Sequence, residues 1–522
     1  MDTKKLRQKL LDLAIHGKLV PQDPNDEPAS ELLSRIHAEK LAMVARGELK
    51  PKDVKNDTVI YFGSDGLPYE KRADGKDVAK CIEGEIPFEI PEGWNWARLQ
   101  SLSRVITDGD HQAPPQIASG IPFLVISNIA NGVICFDDTR FVPRTYFDEI
   151  KPQRVPQRGD LLLSVTGSYG IPAVVNTDRD FCFQRHIALI KPLLSANFLS
   201  RVVSSSYCSK WFDKKATGTA QKTVALSILR STLIPVPPLA EQRRIVDVLG
   251  KYLALVDGIE RDRAELDVLL AQLKSKVLDL AVRGELTERD QKDEPASELL
   301  ARIREDKLAM VARGELKPKD VKNDTVIFTG SDGLRYEKPA DGKGKAKCIE
   351  VEIPFEIPEG WSWARLSTLC LPQEKRLPSG EKFNYIDIGS IDNSRNLICA
   401  NEIDTVNAPS RASRCVHAGS IVFSMVRPYL RNIAQVPVSM KGSVASTGFY
   451  VATKACNELD ERFLFQLLLS DYTVNSTNLH MKGDNSPSVR KEDMDALLLP
   501  VPPLAEQRRI VERVKEVFNL LD

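Results

Sequence analysis

The chain has 522 residues, 42% hydrophobic and 28% charged, the make-up of an ordinary globular protein, which excludes a disordered or collagen-like one. That length suggests about three or four structural units, and no apolar run of about 18 residues is present to span a bilayer. The 72 basic residues are cancelled by 72 acidic ones, so no global positive field points to nucleic acid.

The charge is nevertheless uneven. Residues 98–238 hold 16 Lys/Arg against 10 Asp/Glu, net +6, while residues 365–503 hold 15 against 14, net +1. The opening stretch Met1-Asp2-Thr3-Lys4-Lys5-Leu6-Arg7 lacks the apolar core of a secretory signal, so a cytoplasmic protein is expected. The nine cysteines are scattered, with neither a Cys-x-x-Cys pair nor Cys/His spacing for zinc, so free thiols and no metal site are expected.

An internal repeat organises the chain. Leu41–Ile60 (LAMVARGELKPKDVKNDTVI) returns unchanged as Leu308–Ile327, an offset of 267. Around it, Asp26–Leu33 returns at Asp293–Leu300, and Cys81–Leu99 returns with two changes at Cys348–Leu366. Pro235–Val246 (PVPPLAEQRRIV) returns at Pro500–Val511, an offset of 265. Between these blocks, residues 100–234 and 367–499 share a length and little else. Recent recombination and a swappable-cassette design both account for that pattern.

In chain order the division is an N-terminal helix (1–20), a helical and linker region (21–85) and a first module (86–238). A central helix (239–286), a second helical and linker region (287–352), a second module (353–503) and a C-terminal helix (504–522) follow. The modules read as short apolar runs such as Ile121–Ile126, Asp160–Val165, Ile187–Ile190 and Ser420–Met425, broken by Gly, Pro and Asn. Such runs predict strands of an α+β fold, with helices over 197–215 and 461–470.

The central segment carries apolar residues spaced four and three apart: Ile245, Leu249, Tyr252, Val256, Ile259, then Arg263, then Leu266, Leu270, Leu273, Val277 and Leu280. That spacing predicts a coiled-coil seam. Leu6, Leu10 and Leu13 match Leu273, Val277 and Leu280, and Ile510, Val514, Val517 and Leu521 match Ile245, Leu249, Tyr252 and Val256. Met1 aligns with Val268 and Asp522 with Asp257, so the terminal segments together imitate the central one, minus Gly258 to Asp267. The expectation is an antiparallel coiled coil with circular pseudo-twofold symmetry and neighbouring chain ends. An ordinary long core helix is the alternative. Pro235-Val236-Pro237-Pro238 forces an extended approach to this helix.

Catalytic signatures are missing. No phosphate loop, Gly-x-Gly-x-x-Gly, His-Glu-x-x-His or Gly-x-Ser-x-Gly occurs, and Ala113-Pro114-Pro115-Gln116 does not supply the Asn/Asp-Pro-Pro-Tyr/Phe of amino-methyltransferases. Polar clusters instead fall at predicted turns. Candidate contacts to DNA in the first module are His111, Gln112, Ser168, Tyr169, Gln184, Arg185, His186, Gln221 and Lys222, the last two in the stretch Thr217–Thr223. In the second they are Lys375, Arg376, Arg427, Tyr429, Arg431, Lys482, Asn485 and Ser486. Gln, Asn, Arg and His read base edges, while Lys, Arg, Ser and Thr hold phosphates. Any one cluster alone is better read as a solvated turn; their placement in paired modules singles them out.

The doubled Pro-Val-Pro-Pro-Leu-Ala-Glu-Gln-Arg-Arg-Ile-Val block, the heptad helix after it and the stretch Glu85–Trp94 ahead of each unlike module resemble the specificity subunit of type I restriction-modification enzymes. The resemblance covers essentially the whole chain. It implies a non-catalytic DNA-binding subunit whose two target recognition domains each read half of an asymmetric bipartite site. It also implies partners: double-stranded DNA, two modification subunits that carry S-adenosylmethionine and methylate adenine, and restriction subunits. No cofactor is expected on the chain itself. A coiled-coil adaptor that binds only proteins is the competing reading.

Overall fold

The computed structural model describes residues 2–112, 114–130, 132–218, 221–440 and 442–521. Two compact units emerge, Met1–Ala264 and Glu265–Asp522, and the boundary falls inside the central helix Leu239–Arg283. The mixture of helices and strands agrees with the α+β expectation. No helix among the described residues is long and apolar enough to cross a membrane.

The first unit opens with helices Thr3–Ile15 and Ala29–Ala45 and the antiparallel strands Thr58–Phe62, Pro68–Arg72 and Lys80–Cys81. Strand Asn95–Arg98 then pairs with Leu233–Val236, so the two ends of the module are stitched together. Within that bracket lies a four-stranded sheet ordered Ser103–Asp108, Ile187–Pro192, Leu161–Ser164, Pro172–Val174. A three-stranded sheet of Cys182–Phe183, Ile121–Leu124 and Arg140–Val142 accompanies it. The predicted helix over 197–215 is two helices, Ala196–Val203 and Ser206–Lys215. The run Ser204-Ser205-Ser206 divides them, because the Ser205 hydroxyl accepts from the Cys208 amide and caps a fresh start.

The second unit repeats this frame. Helix Ala296–Ala312, strands Thr325–Thr329, Arg335–Pro339 and Lys347–Cys348, and the pair Ser362–Arg365 with Leu498–Val501 follow in the same order. Its module holds a four-stranded sheet ordered Asn401–Asp404, Lys382–Ile386, Val444–Ser446, Ala412–Cys415. A three-stranded sheet has Ile421–Ser424 between Ile433–Gln435 and Phe449–Ala452. Helices Glu461–Leu469 and Asp471–Asn478 follow.

The repeated sequence blocks are explained by one hydrogen-bond network that each unit builds for itself. The Trp94 indole donates to Glu241 at 2.9 Å, and Trp361 donates to Glu506 at 3.0 Å. The Gln242 and Gln507 amides turn back to the Pro237 and Pro502 carbonyls, each at 3.0 Å, where proline has left the chain extended. Arg244 pairs with Asp26 and Arg509 with Asp293, both at 2.6 Å. Burial pushes the carboxyls of Glu241 and Glu506 above the usual glutamate range, against the opposing pull of their tryptophan donors.

One fully buried lysine anchors each frame to its module. Lys40 Nζ lies 2.7 Å from Asp57 Oδ2 and donates to the Gln100 carbonyl at 3.0 Å. Lys307 repeats this with Asp324 and the Ser367 carbonyl. Desolvation lowers the Lys40 pKa and raises that of Asp57, each partly offset by the partner charge.

The heptad seam is covered only towards its ends. Ile245, Leu249 and Val256 are buried, and Arg7 of the N-terminal helix pairs with Asp257 and Glu260 while Gln22 reaches Glu241. The two segments therefore run in opposite directions. In the second unit Val277 is buried, Leu280 half-buried, and Lys274 sits 5.6 Å over the Phe518 ring. Tyr252, inside the first zone, is exposed, as are Ile259, Leu266 and Leu273 between the zones, and Leu270 is half-buried. The sequence leaves Gly258–Asp267 of the 45-residue central helix without a counterpart in the shorter terminal helices, and this stretch is largely exposed. Met1 and Asp522, used in the alignment of the ends, lie outside the described residues.

Candidate nucleic-acid interface

In the first module backbone pairing gathers all four predicted clusters along one edge. Asp110 bridges Gln184, and Gly109 passes so close that a Cβ there would overlap the Phe183 carbonyl. The Val165 amide donates to the His186 carbonyl at 2.9 Å, and the Gly167 amide to Lys222 at 2.9 Å. Thr166 and Thr223 hydroxyls lie 3.2 Å apart. His111, Gln112, Ser168, Arg185, Gln221 and Lys222 are exposed along this rim, with Gln184 and His186 half-buried. His111 Nε2 rests 3.0 Å from Asp108. Burial, then the neighbouring Arg185 charge, lowers the His186 pKa, so its ring is favoured as a neutral donor and acceptor. The Tyr169 hydroxyl is taken up by Asp213 at 2.6 Å. Thr219 and Ala220 of the predicted cluster lie outside the described residues.

The second module uses the same wiring with other side chains. The Val489 amide donates to Met425, as Val224 does to Val165. Val426 and Lys482 each bridge Ser488, as Thr166 and Thr217 each bridge Thr223. Arg427, Tyr429, Lys482, Asn485 and Ser486 are exposed here, and Arg427 also donates to the Asn485 carbonyl at 2.8 Å. Arg427 and Arg431 flank the turn Pro428–Leu430 in left-handed conformations, φ 49° and 52°, a costly geometry for non-glycine residues. Arg431 departs from its predicted role: its guanidinium is held by Asp471 and the Leu469 carbonyl, so it braces the turn from behind. Gln373 is locked to the Val451 backbone through both amide atoms, leaving Lys375 and Arg376 exposed beside it.

Sequence inspection missed two features. Ser446–Gly448 precedes the strand Phe449–Ala452 as Gln184–His186 precedes Ile187–Pro192, and Thr447 is tied to the Arg411 carbonyl. Topological position, rather than residue type, marks it. The second feature is a cleft along the open side of edge strand Ser103–Asp108. Lys50 and Lys52 of the frame loop line one wall, and Arg104, Lys151, Arg154 and Arg230 the rest, with Asp53 the one acidic residue lining it. Four of the 16 basic residues of 98–238 thus share one groove with Lys50 and Lys52, the arrangement that concentrates a field on an anionic polymer, although Arg104 and Arg154 also lie 3.8 and 3.7 Å from Asp160 and Asp108.

Comparison with known proteins agrees with this geometry. The family described as "Type I restriction modification DNA specificity domain" matches residues 105–267 and again 358–522. The type I restriction enzyme EcoAI specificity subunit of Escherichia coli is 26% identical over 580 residues, spanning 99% of this chain and 89% of that protein. The EcoEI specificity subunit of Escherichia coli is 24% identical over 592 residues with the same coverage. Among solved structures, the HsdS subunit from Thermoanaerobacter tengcongensis is 42% identical over 33% of this chain and 47% of that chain, with a TM-score of 0.29. Matching across most of both modules and nearly the full length of such relatives, the chain belongs to the type I restriction-modification DNA specificity family.

Proposed function

We propose that the chain is the DNA-specificity subunit of a type I restriction-modification complex, with each module reading one half of an asymmetric bipartite target. One observation carries this: each module gathers its polar and cationic turns on one rim through matching backbone bonds, while the side chains on the two rims differ. A shared scaffold with unlike contact residues is what two different half-sites require. We retain 86–238 and 353–503 as the recognition domains, supported by the strand pairs that close each bracket.

The chain makes contacts and supplies no reaction step. Methyl transfer to adenine belongs to modification subunits carrying S-adenosylmethionine, and cleavage to restriction subunits. Because the frame occurs twice, two modification subunits dock at quasi-equivalent places. The equivalent order of elements in the two units and the antiparallel course of the N-terminal segment along the central helix support a circular pseudo-twofold, with the central helix as spacer of an antiparallel coiled coil. The test is to assemble the chain with modification subunits and map methylation on a plasmid library. An asymmetric target with two separated half-sites supports the proposal; a palindrome, or binding of the subunits without any DNA preference, refutes it.

A further inference from the structure

We propose that the second module contains a zinc site formed by Glu374, Cys415 and His417. Sequence spacing conceals it, because Glu374 lies 41 residues ahead of Cys415. The fold brings the three together: their donor atoms all lie within 4.8 Å of one another. Cys415 ends the strand Ala412–Cys415, and the chain beyond it turns Val416 into the core. Alternation along extended chain then puts Cys415 and His417 on one side. The Cys415 amide donates to the Glu374 carbonyl at 3.0 Å, and the His417 amide to Ser420 Oγ at 3.2 Å. The backbone therefore holds the three residues side by side before any ion arrives.

The sulfur–nitrogen distance fits a tetrahedral ion. Zinc bonds of about 2.3 Å to sulfur and about 2.0–2.1 Å to nitrogen at a tetrahedral angle place those two atoms roughly 3.6 Å apart. Cys415 Sγ and His417 Nε2 are 3.6 Å apart. The carboxylate is closer than a shared ion would hold it, with Glu374 Oε2 at 3.0 Å from His417 Nε2, and an exposed glutamate moves outward at little cost. Charge also matches: a thiolate and a carboxylate balance a dication. One sulfur, one nitrogen and one oxygen donor select zinc over magnesium or calcium. Cys415 is buried, but His417 and Glu374 face solvent, so the fourth position is open to water. Such an ion would clip Gln373–Arg376, part of the proposed second rim, to the turn after Cys415. The site itself does not depend on the DNA reading, because its readout is metal content.

The full chain, purified under reducing conditions and stripped with chelator, should be titrated with zinc chloride against a competing chromophoric chelator and separately with cobalt chloride. The expected result is one strong site per chain, cobalt bands of a tetrahedral thiolate complex, and loss of both in Cys415→Ser and His417→Gln. Cys399→Ser, which removes an exposed cysteine elsewhere in the module, should retain both. Zinc should also raise the unfolding temperature of the parent chain and leave that of His417→Gln unchanged, which separates lost ligation from misfolding. Absence of a stoichiometric site in the parent, or equal binding by Cys415→Ser, overturns the proposal.

Discussion

Replacing Lys40 by Met tests whether the frame is held by its buried ion pair. Lys40 and Asp57 are 1% and 2% exposed, and the ammonium also serves the Gln100 carbonyl. Removing one partner of such a pair strands a buried charge, which costs about 3–5 kcal/mol. At roughly 2–4 °C per kcal/mol for a domain of this size, the first unit should unfold about 6–20 °C lower. The double variant Lys40→Met/Asp57→Leu should recover most of the loss, since an apolar pair of similar volume is often neutral. A residue of about 1–3 kcal/mol should persist because the Gln100 carbonyl loses its donor. Calorimetry reads both variants, with the intact Lys307–Asp324 pair of the second unit as internal reference. If the single variant costs under about 1 kcal/mol, or the double is no more stable than the single, the ion pair is not what joins frame to module.

Three further outcomes follow from the same structure. Burial raises the Glu241 pKa, so the folded chain holds this proton more tightly than the unfolded one, and stability falls as pH rises from the ordinary glutamate value to the raised one. Glu241→Gln should flatten that decline in denaturant titrations at several pH values; an unchanged slope would contradict it. Lys50→Ala/Lys52→Ala should weaken DNA binding by the assembled complex equally for all sequences and reduce the salt slope by about 2, and an effect limited to one target would exclude a phosphate role. Deleting the heptad Asp262–Val268 from the exposed stretch should shorten the helix by roughly 10 Å, about three base-pair rises; methylation mapping should find a shorter spacer or none bound, and an intact spacer would refute the ruler.

The frame was legible in sequence because its function depends on side chains. Glu241, Gln242 and Arg244 each have a named partner, so the repeat preserves them and a reader can find them. The kinship of the two modules was hidden for the opposite reason. Their matching bonds, such as Val224 to Val165 and Val489 to Met425, are between backbone atoms and leave no trace in residue identity. Arg431 was named from its place at a turn and faces inward to Asp471, since a cationic side chain at a turn does not disclose which way it points. Spacing predicts the apolar stripe of the central helix, and the length of the partner helices decides how much of it is covered. Lys50 and Arg104 meet across a cleft only after folding, beyond the reach of any local pattern.

How the frame holds each module has a consequence for diversity. Arg98 grips the carbonyl of Ser231, and its counterpart Arg365 that of Ala496; Tyr207 and Tyr472 reach the carbonyls of Leu233 and Leu498. Lys40 and Lys307 hold those of Gln100 and Ser367. Every peptide unit offers that oxygen, whatever side chain it bears. Apart from the tyrosine that each module supplies, and the Ser206 hydroxyl that meets Asp12 of the N-terminal helix, the joint is blind to what is mounted in it, and a foreign insert with the right termini and a tyrosine at that place would seat without further adaptation. Lineages carrying such a socket are free to acquire new DNA addresses by exchange, while the surfaces that meet the rest of the machinery stay as they are.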